Sequence, residues 1–219
     1  MNKSPYLRIA LLCLGLAAGP TSVMSRNYIA RAHTEAYRPQ FVYSVDFGMN
    51  FDNREYGDET FAPSGTIFGA RLAPSVGFVK GTYNSRHTLM AGADFFKDFG
   101  DIRADGTALF RKAFFYYGLE RRFDDGAFSL TAGIFPRSTS RERWSTAFFS
   151  EKYMWYHPYM EGMLMSYERA HGHVELGCDW IGMHGASPSV KEQFMLFSSG
   201  HISPWRRLRL GYSAYMMHL

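Results

Sequence analysis

Serine and histidine residues that could carry out hydrolytic chemistry lie near the end of the chain. Ser198, Ser199 and His201 lie close together at one end of a predicted strand. A hydrolase needs a nucleophile, a base and an orienting group within hydrogen-bond reach, and these residues offer the first two. The chain has no GxSxG motif, which marks the nucleophile of α/β-hydrolases. Because such short serine–histidine spacings are common by chance, the sequence favours a protein without catalytic residues.

A metal site is the second chemistry to consider, at His171, His173 and Cys178. His173 and Cys178 alternate to opposite faces of one predicted strand, so they cannot converge on one ion. His171 falls in a turn, where histidine is more often solvated. No phosphate-binding loop or dinucleotide fingerprint is present. The sequence therefore predicts neither metal nor cofactor.

Basic residues cluster in the longest irregular stretch, at Arg137, Arg141 and Arg143, beside Glu142. Such a cluster could contact anionic sugars or lipopolysaccharide. Runs of charge on a surface are ordinary, however, and a solvated loop with local ion pairs is the favoured interpretation.

The N-terminus predicts export from the cytoplasm. Lys3 and Arg8 precede an apolar run from Ile9 to Ala18, followed by small residues as far as Ser25. This is the pattern of a secretory signal peptide, residues 1–25, and residues 26–39 are predicted as a periplasmic lead-in. Its removal leaves 22 basic against 20 acidic residues and one cysteine, Cys178. Nothing in this balance suggests a nucleic-acid partner, and no later segment is apolar enough for a membrane-spanning helix.

The segment from Leu109 to Pro136 gives the clearest structural pattern. Two runs of roughly ten residues flank Asp124-Asp125-Gly126, a tight-turn sequence, and apolar and polar residues alternate in both. A soluble strand typically has about five or six residues, whereas a strand that crosses a bilayer needs about 9–11. The segment therefore predicts a β-hairpin of a membrane barrel.

The same alternation predicts nine strands between residues 40 and 219. Their connections alternate between short turns, at about 80–86, 123–126, 170–173 and 203–206, and longer polar loops, at about 50–66, 98–108, 137–161 and 182–191. This asymmetry is typical of an outer-membrane barrel. The predicted fold is all-β: an up-and-down antiparallel transmembrane β-barrel. A soluble sandwich or meander barrel shares the alternation but seldom needs strands this long.

Charged residues of the predicted strands fall opposite the apolar face, where a membrane barrel has its lumen. The candidates for lining the lumen are Asp46, Arg71, Asp94, Lys112, Glu120, Glu168, His173, Glu175, Asp179, Arg207 and Arg209.

With these features, the chain resembles the N-terminal part of a porin-like Gram-negative outer-membrane barrel. The resemblance depends on the signal peptide, on the FDNREY loop after the first strand, and on the segments AGADFFKDFG and TAGIFPRS. It implies a location in the cell outer membrane, contact with membrane lipid and lipopolysaccharide, passage of small solutes and a possible homo-oligomer. The last residues, Met216-Met217-His218-Leu219, depart from the aromatic ending usual in such barrels.

The leading prediction is a non-enzymatic porin-like channel with a polar, charged lumen. Two alternatives stay open: a barrel that serves adhesion or surface structure through its long loops, and an outer-membrane hydrolase. Nine strands would place the two termini on opposite sides of the membrane, whereas single-chain bacterial barrels have an even number. The odd count predicts a truncated fragment of a larger barrel, a barrel shared by several copies of the chain, or a count that is wrong by one, and truncation is the favoured interpretation.

Overall fold

A computed structural model describes residues 38–55, 65–101, 109–141, 148–183, 192–205 and 207–218. The predicted signal peptide, residues 1–25, lies outside this part, as do most of the lead-in and Arg143. Nine antiparallel strands form one sheet in chain order, which confirms the predicted all-β, up-and-down architecture. The strands are β1 (Gln40–Arg54), β2 (Gly65–Gly81), β3 (Ser85–Asp98), β4 (Phe110–Arg122), β5 (Gly126–Pro136), β6 (Tyr159–Arg169), β7 (Gly172–Gly182), β8 (Gln193–Trp205) and β9 (Leu208–His218). Across the described residues the sheet is not closed.

Among the described residues, helical structure occurs only in the connection between β5 and β6. A single 3-10 turn spans Arg137–Thr139, and a short helix, α1, spans Glu151–Tyr156. The Ser150 side chain caps α1 by accepting a hydrogen bond from the Tyr153 backbone N–H at 3.1 Å, which satisfies one of the unpaired donors of the first turn. No helix in the described ranges is both long enough and apolar enough to span a membrane.

Burial along β7 is the reverse of that in a strand of a soluble protein. On β7, Glu175 is 1% exposed and the neighbouring Leu176 is 47% exposed. Successive side chains of a strand point to opposite faces, so β7 has a buried polar face and an exposed apolar one. A soluble sandwich would bury the apolar face to gain hydrophobic free energy. The observed burial therefore supports the membrane-facing alternative.

β8 is longer than its sequence pattern predicts. The strand includes Ser203-Pro204-Trp205, which the sequence predicts as a turn, so β8 ends at Trp205 and β9 begins at Leu208. Its ambiguous alternation is resolved by pairing: Glu175 of β7 lies opposite Ser199, and His173 lies opposite His201. Ser199 and His201 therefore share one face.

The chain divides into two compact units. The first contains the described residues of 43–76 and 91–113; the second contains those of 38–42, 77–90 and 114–218. In the first unit Arg71 forms an ion pair with Asp94. The Phe96 ring lies 4.6 Å from the Arg71 guanidinium carbon and 5.0 Å from that of Arg111.

The second unit contains an apolar cluster on the same side of the sheet as the buried polar residues. Phe135, Met160, Leu164, Met195 and Phe197 form it, and Phe149 of the β5–β6 connection packs against it. A face that the sequence predicts as polar is thus apolar over part of its area. The site described next lies beside this cluster, within the second unit.

Candidate functional site

A row of polar residues crosses five neighbouring strands of the second unit. Cross-strand pairing places Ser129 opposite Ser166, Ser166 opposite Glu175, Glu175 opposite Ser199, and Ser199 opposite Ser213. We call this set the serine–glutamate row and its side of the sheet the polar face. Residues directly opposite one another have Cβ atoms about 4.5–5.5 Å apart. Four hydroxyl groups and one carboxylate are therefore held side by side.

Two histidines lie next to this row on the polar face. His173 precedes Glu175 by two residues on β7, and His201 follows Ser199 by two residues on β8. The two rings lie on adjacent strands with centroids 6.0 Å apart, and their planes are tilted by 42°. His173 Nε2 lies 3.7 Å from Glu175 Oε1. Two strands with period-two spacing thus bring a serine, a carboxylate and two imidazoles to one place.

Ser199 has the environment expected of a hydroxyl group that is kept available for a reaction. The residue is 1% exposed, and within the described residues its Oγ makes no hydrogen bond. A buried hydroxyl without a partner costs about 1–3 kcal/mol, so such a group calls for an explanation. By contrast, the adjacent Ser198 donates to the Glu175 backbone carbonyl at 2.8 Å.

Arg209 contacts the imidazole ring of His201 and fixes which ring nitrogen accepts a hydrogen bond. Arg209 Nη2 lies 2.8 Å from His201 Nδ1. Because a guanidinium has only donors, Nδ1 must accept this hydrogen bond. In this arrangement Nε2 is the ring nitrogen that can carry a proton and act as a donor.

Glu175 accepts two hydrogen bonds from the connection between β5 and β6. Its Oε2 accepts from Ser140 Oγ at 2.5 Å, and its Oε1 accepts from the Arg141 backbone N–H at 2.7 Å. A buried carboxylate is stabilised by such donors. The charge is therefore satisfied from outside the sheet, which leaves the Glu175 carboxylate fixed beside His173.

The same connection covers more of the polar face. We call residues 137–141 and 148–156 the covering segment. Arg141 Nη1 binds Glu168 Oε2 at 2.8 Å, and Arg137 forms an ion pair with Asp179. Phe149 packs edge-on against Phe197, with ring centroids 5.9 Å apart. Glu168, Glu175 and Asp179 are thus each bound by this segment.

Arg137 is the most buried anchor of the covering segment. Its Nε donates to the His157 carbonyl at 2.7 Å, and its Nη2 donates to the Tyr153 hydroxyl at 3.1 Å. Burial raises the pKa of the Tyr153 hydroxyl; Arg137 opposes this shift and Asp179 adds to it. The sequence predicts a solvated loop with local ion pairs here. This prediction is wrong for Arg137, because the residue is only 6% exposed and its ion-pair partner is 42 residues away in sequence.

The predicted lumen residues fall into several environments. Glu168, His173, Glu175 and Asp179 gather on the polar face of β6 and β7, and Arg209 joins them through His201. Arg71 and Asp94 pair within the first unit. Asp46 and Arg207 are exposed, whereas Lys112 and Glu120 are half-buried. The assignment of all eleven residues to a lumen stays a prediction.

The family is decided by a comparison with protein-family models. Residues 34–219 match the model described as lipid A 3'-O-deacylase-type. The chain belongs to this family. A search of curated proteins and a search of solved structures each returned no match.

Membership of the lipid A 3'-O-deacylase-type family corrects four predictions. The porin-like resemblance is wrong, and so are the solute-channel function, the association with transport and the prediction that the chain is not an enzyme. The misreading has a physical cause, because alternation, strand length and loop asymmetry are common to barrels of every function. The hydrolase alternative is the one that the family favours.

Sequence reasoning found Ser199 and His201 but gave them little weight, and it missed Ser140, Tyr153 and the role of Arg137. The available signal was the pair of i, i+2 spacings, His173 to Glu175 and Ser199 to His201, each of which places both residues on one face. Their register across β7 and β8 could not be read from either strand alone. Among the described residues, no group of three or more His, Cys, Asp or Glu side chains is arranged to hold a metal ion.

Proposed function

We propose that this chain is an outer-membrane acyl-ester hydrolase that removes a fatty acyl chain from a lipid A-type glycolipid. The family description supports the substrate class. The exposed apolar face of the strands supports residence in a bilayer. In this proposal residues 1–25 direct export, and residues 40–219 form the membrane-embedded β-structure. The lipid and the lipopolysaccharide of the same membrane are then its partners.

The observation that carries the proposal is the environment of Ser199. A buried hydroxyl that makes no hydrogen bond to any described residue lies opposite Glu175 and beside two histidines. Nucleophilic acyl transfer needs an activated hydroxyl, a base and a group that orients the base. A residue of each type lies on this small area of the polar face.

The chemistry assigns different roles to the two histidines. His173 Nε2 lies 3.7 Å from Glu175 Oε1, so the carboxylate can orient the imidazole as a general base. In His201, Nε2 is the nitrogen that can act as a donor, because Nδ1 accepts from Arg209. An N–H donor of this kind can stabilise a developing oxyanion. We therefore assign His173 as the base and His201 as the oxyanion donor.

The reaction then proceeds in two steps. Ser199 Oγ attacks the ester carbonyl carbon while its proton passes to His173, and His201 donates to the tetrahedral oxyanion. The intermediate collapses, the sugar oxygen leaves with the proton from His173, and an acyl-serine remains. Water, deprotonated by His173, then attacks the acyl-serine, which releases the fatty acid and restores Ser199.

Mass spectrometry of products from lipid A, incubated with the purified chain in detergent micelles, tests the proposal. We expect release of fatty acid from the wild type and none above background from Ser199→Ala. His173→Gln and Glu175→Gln should lower the rate, His173→Gln by about 10²–10⁴-fold, the usual contribution of a general base. Ser85→Ala, at the start of β3, is the matched control and should retain wild-type activity. Undiminished release by Ser199→Ala would refute the assignment of the nucleophile.

A further inference from the structure

Two arginines lie where the apolar face of the second unit reaches the short turns. Cross-strand pairing links apolar residues of four neighbouring strands on this face: Leu119, Leu130, Met165 and Leu176. Arg121 follows Leu119 by two residues on β4, and Arg169 follows Met165 by four residues on β6. Because successive side chains of a strand alternate between faces, both arginines belong to the apolar face and not to the polar face.

The two arginines flank the end of β5. Arg121 lies opposite Phe128, and Phe128 lies opposite Tyr167, which precedes Arg169 by two residues. Neighbouring strands are about 4.8 Å apart and each residue rises about 3.4 Å, so the Cα atoms of the two arginines are about 12 Å apart. Arginine carries its charge at the end of a long stem. Both guanidinium groups can therefore reach one phosphate group that lies over the end of β5.

Aromatic rings contact both guanidinium groups. The guanidinium carbon of Arg121 lies 5.4 Å from the Phe123 ring centre. That of Arg169 lies 5.7 Å from the Tyr167 ring centre, and Arg169 Nε donates to the Tyr167 hydroxyl at 3.1 Å. Arg169 also forms an ion pair with Asp125, in which the two side chains are 58% and 61% exposed. A pair this exposed is weak, so a second anion can compete with Asp125.

The short-turn edge of the second unit has an excess of positive charge. Six exposed cationic residues lie within two positions of its four short connections: Lys80, Arg121, Arg122, Arg169, Arg207 and Arg209. The exposed acidic residues of the same described segments are Asp124 and Asp125. Anionic headgroups attract lysine and arginine at a membrane surface. This edge is therefore complementary to an anionic lipid.

The direction of the short turns selects the class of lipid. In outer-membrane barrels the short turns face the periplasm, and the periplasmic leaflet of an outer membrane consists of glycerophospholipids. We infer that Arg121 and Arg169 bind the phosphate of an anionic glycerophospholipid whose acyl chains lie on the apolar face of β5. The bound lipid would fix the depth of the strands in the bilayer. The site lies on the opposite face from the serine–glutamate row, so the inference requires residence in a membrane but not hydrolysis.

Native mass spectrometry of the purified chain in maltoside micelles, titrated with dioleoyl phosphatidylglycerol, tests the inference. We expect Arg121→Gln and Arg169→Gln each to weaken binding about fivefold, the usual contribution of one cation near an anionic surface. Asp125→Asn removes the competing carboxylate and should strengthen binding. Arg111→Gln, near the opposite end of β4, is the matched control and should bind this lipid as the wild type does.

Two other lipids complete the test. Dioleoyl phosphatidylcholine, which has the same acyl chains but no net charge, should bind the wild type about fivefold more weakly or worse. Equal affinity for the two lipids, or unchanged phosphatidylglycerol binding in both arginine variants, would overturn the inference. So would tighter binding of purified lipid A that the same two variants abolish, because the site would then belong to lipid A. These measurements involve no ester hydrolysis, so they stand whether or not the chain proves to be a hydrolase.

Discussion

Arg137 and Asp179, which are 42 residues apart in sequence, form an ion pair whose side chains are 6% and 2% exposed. The pair joins the start of the covering segment to β7. Asp179 also accepts a hydrogen bond from the Glu161 backbone N–H at 2.9 Å. The guanidinium carbon of Arg137 lies 5.1 Å from the Tyr153 ring centre and 5.5 Å from that of Phe149. A single arginine thus connects three parts of the second unit.

Arg137→Ala should destabilise the protein strongly, because it leaves the Asp179 charge buried without its cation. Breaking a buried pair from one side costs about 3–5 kcal/mol. Urea unfolding in detergent micelles measures the loss, with Arg121→Ala, an exposed arginine on β4, as the control. The double variant Arg137→Met with Asp179→Leu should lose less than Arg137→Ala, because it contains no unpaired charge. If Arg137→Ala is as stable as the wild type, the ion pair contributes nothing to stability.

Gly177→Ala should also destabilise the fold, because the Phe197 ring lies over Gly177. A Cβ at Gly177 would come within 2.1 Å of Phe197 Cζ, so the ring would have to move. Overpacking of this kind costs about 1–3 kcal/mol. Gly118→Ala is the control, and we expect it to change the free energy of unfolding by less than about 0.5 kcal/mol. Adding Phe197→Leu to Gly177→Ala should recover part of the lost stability. If the double variant is less stable than Gly177→Ala, the clash with the Phe197 ring is not the cause.

Leu176→Arg should impair assembly into membranes far more than Leu176→Met. Leu176 is 47% exposed on the apolar face of β7. An arginine on the lipid face costs about 2–4 kcal/mol near the bilayer midplane and about 0–1 near the interfaces. Trp205→Arg, at the end of β8, should therefore be tolerated better. The fraction that folds into lipid vesicles, measured by protection from protease, compares the variants. Equal folding of all three would show that Leu176 does not face lipid.

The raised pKa of Tyr153 predicts a loss of stability at alkaline pH. Burial favours the neutral hydroxyl in the folded state, so the unfolded state releases its proton at lower pH. The contribution of Tyr153 is therefore fully present below the ordinary tyrosine pKa of about 10 and is lost as pH rises through the folded-state value. Ultraviolet titration of wild type and Tyr153→Phe should reveal a tyrosine that ionises late. An identical set of titrating tyrosines in the two proteins would contradict the shift.

The strands of this protein could be predicted from sequence because their pattern is local. Residues such as Glu175 and Leu176 show their opposite environments through period-two alternation alone. Nine strands, their order and the asymmetry of their connections followed from that period and from the turn residues. Pro204 marks the limit of this reasoning: proline is disfavoured in a ladder but tolerated at bulges, and the β8–β9 register shifts between Ile202 and Trp205.

The proposed catalytic site could not be predicted in the same way, because it depends on contacts between distant parts of the chain. By themselves, Ser199 and His201 are a pair of residues that occurs commonly by chance. They form a candidate site only because the β7–β8 register places Glu175 and His173 opposite them. One residue of slip would turn either pair to the other face, and neither strand's sequence fixes that register.

The sequence by itself determined the all-β fold and the two faces of the strands, since both arise from the geometry of each strand. Only the tertiary structure decided which segment packs against the polar face. The six residues of α1 are too few to show a helical period, so the stretch that covers Glu168, Glu175 and Asp179 has no readable pattern. Its position is set by the burial of Arg137 against Asp179 and of Phe149 against Phe197. These contacts can form, and stabilise the fold, only after the strands have paired.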